Sequence, residues 1–161
     1  MRSMRQAIGL LILLSGLGCA AGPPAARDPL VAAAGDMATA SLSDAVDQVV
    51  GKRGFLSHGI RRMTPGKLCG RAVTVLARPA PAGEKAPPTL ALETIDEAEP
   101  GSVLVIVMEG PEGADVAALG GIMGTACAVR GLAGAVLDAG VRDVEELEEL
   151  GLPVFARGAV P

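Results

Sequence analysis

The chain of 161 residues contains two Phe and no Trp or Tyr. So few aromatics leave none of the stacking platforms on which proteins bind single-stranded nucleic acid. Cations are also in deficit: 14 Lys and Arg stand against 18 Asp and Glu, a net charge of −4. Binding a phosphate backbone needs clustered Lys and Arg, so nucleic acid is not an expected partner. The single histidine, His58, excludes a three-histidine zinc site within one chain. There is no internal repeat. What remains is aliphatic. Half of the residues are apolar, and with so few rings the core must be Ala, Val, Leu and Ile. The length favours one domain, and the composition favours close-packed helices on a sheet.

The N-terminus reads as a targeting segment. Arg2 and Arg5 precede the apolar run Ala7 to Leu14, followed by Ser15, Gly16, Gly18, Cys19, Ala20 and Ala21. That is a charged start, an apolar stretch too short to span a bilayer comfortably, and a small-residue cleavage zone. Residues 1–21 are therefore expected to be a signal peptide and the protein to be exported. Cleavage after Ala21 gives a soluble secreted protein. Cleavage before Cys19 gives a lipoprotein, the one route by which the chain would meet a membrane, although Gly16 stands where a lipobox usually has Leu. Gly16 to Ala21 also matches G-x-G-x-x-A, but no strand–helix unit surrounds it and it is set aside. Residues 22–35, with Pro23, Pro24 and Pro29, read as a linker, leaving 36–161 as the domain. Cys69 and Cys127 would meet an oxidising compartment after export; the simpler expectation is two buried thiols.

Along the domain, helix and strand patterns alternate. Ser41 and Asp44 suggest a helix start, with Leu42, Ala45, Val46 and Val49 as its apolar stripe; Gly51 and Gly54 end it. Ser57 and His58 are adjacent but lack a nucleophile-elbow motif. Arg71 to Arg78 alternates as a strand does, Ala80 to Pro88 is a Pro-rich loop, and Thr89 to Ala98 is a helix stopped by Pro100-Gly101. The continuous apolar run Val103 to Met108 fits a strand buried on both faces. Glu109 to Asp115 is a Gly-rich loop. A helix ending near Gly131, a strand from Ala133 to Leu137, a helix from Val144 to Leu150 and a strand from Leu152 to Ala156 follow. This order predicts an α/β layer fold with parallel neighbouring strands.

The most informative stretch is Leu119 to Asp143. The small residues Gly120 and Gly121 open a helix. A strand and a glycine bend then deliver Arg142 and Asp143 side by side. Arg142 is a fixed cation with a planar fork of donors; Asp143 is a carboxylate at neutral pH. At a strand end of an α/β fold such a pair suits an anionic substrate and a divalent metal. Taken alone, such a pair is more often a solvated turn.

Gly120-Gly121-Ile122-Met123, Arg130-Gly131-Leu132-Ala133-Gly134 and Val141-Arg142-Asp143, with 20 residues between Gly121 and Arg142, resemble the family of the regulator of ribonuclease activity A and the class II 4-hydroxy-4-methyl-2-oxoglutarate aldolases. The match extends over Thr39 to Ala45, Pro65 to Val75, Glu99 to Val105 and Leu150 to Ala156, about residues 36 to 161.

The resemblance implies a layered α/β/β/α swivelling-domain sandwich. Family members continue beyond the Leu152 to Ala156 segment with further strands, so the sandwich is expected to be short at its C-terminal side, with an exposed edge and apolar face. It implies a metal-dependent lyase releasing pyruvate from a 2-oxo acid, with oxaloacetate decarboxylation as a companion activity. It further implies Asp143 as the ligand of Mg²⁺ or Mn²⁺, Arg142 as the partner of the enolate oxygen, and Gly120, Gly121, Ile122 and Met123 as binders of the substrate carboxylate through backbone N–H groups. A homotrimer is expected on the same ground. Aldolases of the family often carry Asp or Glu where this chain has Gly121; Asp138 and Glu146 are nearby acids with no requirement to face the site, and proton transfer falls to a metal-held water. The alternatives are a non-catalytic regulatory protein, as the ribonuclease regulators are, and an inactive short homologue.

Overall fold

The computed structural model describes residues 28–161 except Ala82 and Ala86. The expected signal peptide and the first part of the expected linker, residues 22–27, lie outside the described residues. The helices are α1 (Pro29–Asp36), α2 (Thr39–Val50), α3 (Thr89–Glu97), α4 (Gly121–Arg130) and α5 (Val144–Glu149). The strands are β1 (Arg61–Arg62), β2 (Ala72–Ala77), β3 (Val103–Met108), β4 (Ala117–Leu119), β5 (Gly134–Asp138), β6 (Gly140–Val141), β7 (Val154–Ala156) and β8 (Gly158–Ala159). They form two sheets, β1-β7-β5-β3-β2 and β4-β6-β8. The α/β class and the parallel order expected from the sequence hold: every pair is parallel except β1 with β7.

The core is aliphatic, as the composition requires. Leu104 and Ile106 of β3 pair with Ala135 and Leu137 of β5. They are buried with Ile95 of α3, Cys127 of α4 and Leu147 of α5. Neither Phe belongs to the core. Each lies under a guanidinium instead, Arg53 over Phe55 at 5.1 Å and Arg62 over Phe155 at 5.8 Å. Thr64 is the largest buried polar side chain. Its hydroxyl donates to Leu152 O at 2.6 Å and accepts from Val154 N at 2.8 Å, tying the segment after β1 to the start of β7.

Three local expectations are corrected. First, residues 29–35 of the segment read as linker belong to a helix, Pro29–Asp36. Asp28 caps it, its carboxylate accepting from Leu30 N at 2.8 Å, with Pro at N1. Lys67 Nζ donates to the carbonyls of Gly35 and Met37 at its other end. The Leu30 N–H bond, then the Arg71 guanidinium, holds the Asp28 carboxyl below the ordinary carboxylate range. Second, α2 begins at Thr39 with Ala38 at the cap and no side-chain bond, so Ser41 and Asp44 lie within the helix. Third, β3 is not buried evenly on both faces. Leu104 and Ile106 lie in the core, and on the other face Val103 is buried at the start of the strand, whereas Val107 is 37% exposed and its β2 neighbour Leu76 66%. The segment around Leu56 to Ile60 lines the space over Val105 and Val107. The expectation of two free thiols holds, with Cys127 buried and Cys69 only half-buried. Cys127 is in the core, and the Cys69 thiol donates to Val31 O at 3.5 Å.

Candidate functional site

The small sheet positions the site. β4 and β6 are parallel neighbours, with Leu119 opposite Val141. Arg142 N donates to Leu119 O at 3.1 Å beyond the last paired residues. Each strand runs straight into a helix, β4 through Gly120 into α4 and β6 through Arg142 and Asp143 into α5. Two strand ends and two helix starts therefore meet at one place, the carboxyl end of a parallel sheet, where ligands of open α/β folds bind.

Asp143 occupies the N-cap position of α5 with φ 54° and ψ 42°, the one non-glycine residue with positive φ among the described residues. Asp tolerates this left-handed conformation better than most residues. Its side chain makes no bond to its own helix. It turns to α4, where Oδ2 accepts from Gly121 N at 2.9 Å. Arg142 Nε lies 3.5 Å from the same oxygen, and both side chains are solvent-accessible, 57% for Arg142 and 44% for Asp143. A carboxylate offers about four lone-pair sites, so Oδ1 retains its acceptor capacity.

The two glycines are required by their neighbours. A Cβ on Gly120 would lie 2.7 Å from Asp143 Oδ2 and 2.9 Å from Arg142 Cγ and Nε. A Cβ on Gly121 would lie 2.1 Å from Glu146 Oε2 and 2.4 Å from its Cδ. Gly120 and Gly121 thus make room for the chain's own Arg142, Asp143 and Glu146. Of the four residues expected to bind a substrate carboxylate, Gly121 has its N–H engaged by Asp143. Ile122 and Met123 lie in the first turn of α4, where N–H groups lack intrahelical acceptors; Ile122 is exposed and Met123 is buried.

Sequence reasoning misses two contacts here. It gives Glu146 no fixed direction, yet Glu146 faces Gly121. It does not single out Gly124, yet a Cβ there would lie 2.1 Å from Leu147 Cδ2. The available signal is spacing: Gly121 and Gly124 are three apart on α4, Asp143, Glu146 and Leu147 three to four apart on α5, the offsets that share a helix face. Other candidates fall elsewhere. Asp138 pairs with Arg157, Nε to Oδ1 at 2.5 Å, on the open face of the large sheet. Ser57 Oγ accepts from Gly59 N at 3.2 Å within its own turn.

No three His, Cys, Asp or Glu side chains gather into a metal cage among the described residues. A hydrated Mg²⁺ or Mn²⁺ does not need one, since such ions keep several waters and take one or two carboxylates. Hard oxygen donors without nitrogen or sulfur fit that class.

The family model described as RraA-like, Aldolase/RraA, matches residues 39–161. The chain belongs to the Aldolase/RraA family. A protein of uncharacterized function from Pseudomonas syringae is 32% identical with a TM-score of 0.66, over 81% of this chain and 56% of that one. Streptomyces coelicolor RraAS2, described as an unusual member of the RNase ES inhibitor RraA family, is 26% identical with a TM-score of 0.65, over 86% of this chain and 67% of that one. The RNA-processing inhibitor RraA from Thermus is 25% identical with a TM-score of 0.57, over 74% and 68%. The chain thus spans just over half the length of the first of these structures and about two thirds of the other two.

Proposed function

We propose that this Aldolase/RraA chain is a divalent-metal-dependent carbon–carbon lyase acting on small 2-oxo acids, cleaving 4-hydroxy-4-methyl-2-oxoglutarate to pyruvate and decarboxylating oxaloacetate. One observation carries the reading: Arg142 and Asp143 stand together at the end of β6, held against the start of α4 by the Asp143–Gly121 bond. Bound Mg²⁺ or Mn²⁺ supplies Lewis acidity towards the oxygen that gains charge as the carbon–carbon bond breaks. Asp143 would hold it, its carboxylate positioned by the Gly121 N–H. Arg142 offers a fixed cation beside that carboxylate to the former keto oxygen of the departing pyruvate enolate. The N–H groups of Ile122 and Met123 are the remaining donors of the α4 start for a substrate carboxylate.

In oxaloacetate the bond between C3 and the terminal carboxylate breaks, carbon dioxide leaves, and C3 of the enolate takes up a proton to give pyruvate. The test is direct: incubate the purified chain with oxaloacetate and Mn²⁺ and follow pyruvate against a protein-free control. No acceleration over free Mn²⁺ removes the lyase reading. A second reading, a non-catalytic regulatory protein, draws support from the two relatives described as inhibitors; binding to a ribonuclease without pyruvate formation would favour it. The same proposal includes a homotrimer, to be checked by light scattering, and export through residues 1–21.

A further inference from the structure

Gly121 is the meeting point of two carboxylates. Asp143 Oδ2 takes its N–H, and the whole carboxylate of Glu146 fills the volume over its Cα, with Oε1, Oε2 and Cδ all within 2.6 Å of where a Cβ would stand. Gly121 is buried whereas Glu146 is a surface residue, and among the described residues Glu146 has no ion-pair partner. A glutamate so placed would be expected to extend into water, where its charge is best solvated. Here it folds back over Gly121, the residue whose N–H the Asp143 carboxylate takes. The nearby cation, Arg142, faces Asp143 from the Gly120 side. Two carboxylates and one guanidinium leave one negative charge, a balance that favours a divalent cation.

Resting on the cation site of the proposed function, we propose that Glu146 is its second carboxylate: it reaches across the side-chain gap of Gly121 and holds the cation's coordination shell together with Asp143. The glycine is then a specificity feature. It is the one residue that lets an acid from α5 come over α4, and any side chain there would evict Glu146. The backbone of Gly121 does not itself demand glycine, since its φ is not positive.

The experiment is Mn²⁺ titration of the full chain, read as free Mn²⁺ by electron paramagnetic resonance, with circular dichroism as a check on folding. Glu146→Gln should weaken Mn²⁺ binding about 10-fold or more, the scale on which supporting groups act at metal sites. Gly121→Ala should do the same by displacing the carboxylate. Glu145→Gln, one residue away, should match the parent. Gly121→Asp combined with Glu146→Ala returns a carboxylate to the same volume from α4 and should recover most of the lost affinity. Parent-like affinity in both Glu146→Gln and Gly121→Ala, with binding lost in Asp143→Asn, would overturn the role of Glu146 and leave the site reading standing. Parent-like affinity in Asp143→Asn, or no Mn²⁺ binding by the parent chain, would overturn the site reading as well.

Discussion

The N–H of Gly121 donates to Asp143 Oδ2 at 2.9 Å, so one carboxylate closes the start of α4 and also faces solvent beside Arg142. Structure and chemistry are joined in this side chain, and a single deletion cannot separate them. Removing the side chain removes an acceptor from a charge-assisted bond, worth about 1.5–3 kcal/mol at most and less where water can reach.

Asp143→Asn separates the two roles. The amide oxygen can still accept from Gly121, and Asn also tolerates the left-handed backbone of this position. The negative charge is lost. The variant should melt within about 0.5 kcal/mol of the parent and lose Mn²⁺-stimulated oxaloacetate decarboxylation, whereas Asp143→Ala should lose activity together with about 1 kcal/mol of stability. Undiminished pyruvate formation in Asp143→Asn at saturating Mn²⁺ would remove Asp143 from the cation site.

The centre of the large sheet was legible because β2, β3 and β5 are apolar runs bounded by glycine and proline, whereas its edge strand β1, Arg61–Arg62, was not. Val103 to Met108 is a strand with the bounds expected, and Gly131 ends α4 in the left-handed conformation expected of a helix-terminal glycine. The small sheet was not legible. Its strands β4, β6 and β8 have two or three residues each, too few for an alternating pattern, and they exist because Gly140 N finds Val116 O and Val160 N finds Val141 O across the fold. The Arg142–Asp143 pair could be singled out by charge and spacing, but the direction of Glu146 depends on α4 and α5 meeting, which is tertiary information. The capping expectation at Ser41 failed where local propensity was overridden: α2 starts two residues earlier without a side-chain cap.

Gly124 should be intolerant of a methyl group although its backbone is ordinary. A Cβ would sit 2.1 Å from Leu147 Cδ2, and Leu147 is fully buried, so it has little space into which to retreat. Gly124→Ala is expected to cost about 1–3 kcal/mol through overpacking. Gly35→Ala is the control. It lies in α1, and an added methyl would meet nothing within 4 Å, so the change should be neutral or stabilising by about 0.4–1 kcal/mol. Urea denaturation of both variants checks the contrast, and equal effects would contradict the packing between α4 and α5.

Cys127 gives the fold a dependence on alkaline pH. Burial pushes its thiol up to about 11 from 9.0. A folded-state pKa raised above the unfolded one means that the unfolded chain loses its proton first. The contribution is complete below about pH 9 and is lost as pH rises towards 11. Stability of the parent should therefore fall more steeply over that window than stability of Cys127→Ala, whose starting value is lower for the cavity it leaves. At pH 8 the native thiol should resist iodoacetamide and react once guanidinium unfolds the chain.

Export is tested by the mature N-terminus. Arg2, Arg5 and the run Ala7 to Leu14 predict a chain beginning between Cys19 and Gly22 when the full gene is expressed in a secreting bacterium. N-terminal sequencing reads the position, and mass spectrometry distinguishes a diacylglycerol on Cys19 from simple cleavage. Soluble protein that retains Met1 in the cytoplasm would contradict it.

Arg142 tests the chemistry apart from the metal. Its Nε is 3.5 Å from Asp143 Oδ2 and its side chain is 57% exposed, so the ion pair contributes little to folding. Arg142→Lys should stay within about 0.5 kcal/mol of the parent in stability. The lysine keeps the charge and loses the planar fork that can hold one oxygen on Asp143 and present a second N–H to the enolate. Removing one such donor from a developing oxyanion typically lowers turnover by about 10² or more. The expected pattern is a fall of that size in kcat for oxaloacetate with Mn²⁺ affinity unchanged, because Asp143 and its Gly121 anchor are untouched. A solvated turn predicts parent-like kinetics instead. Loss of Mn²⁺ affinity in Arg142→Lys would point to a different role again, support of the Asp143 carboxylate in place of the substrate oxygen.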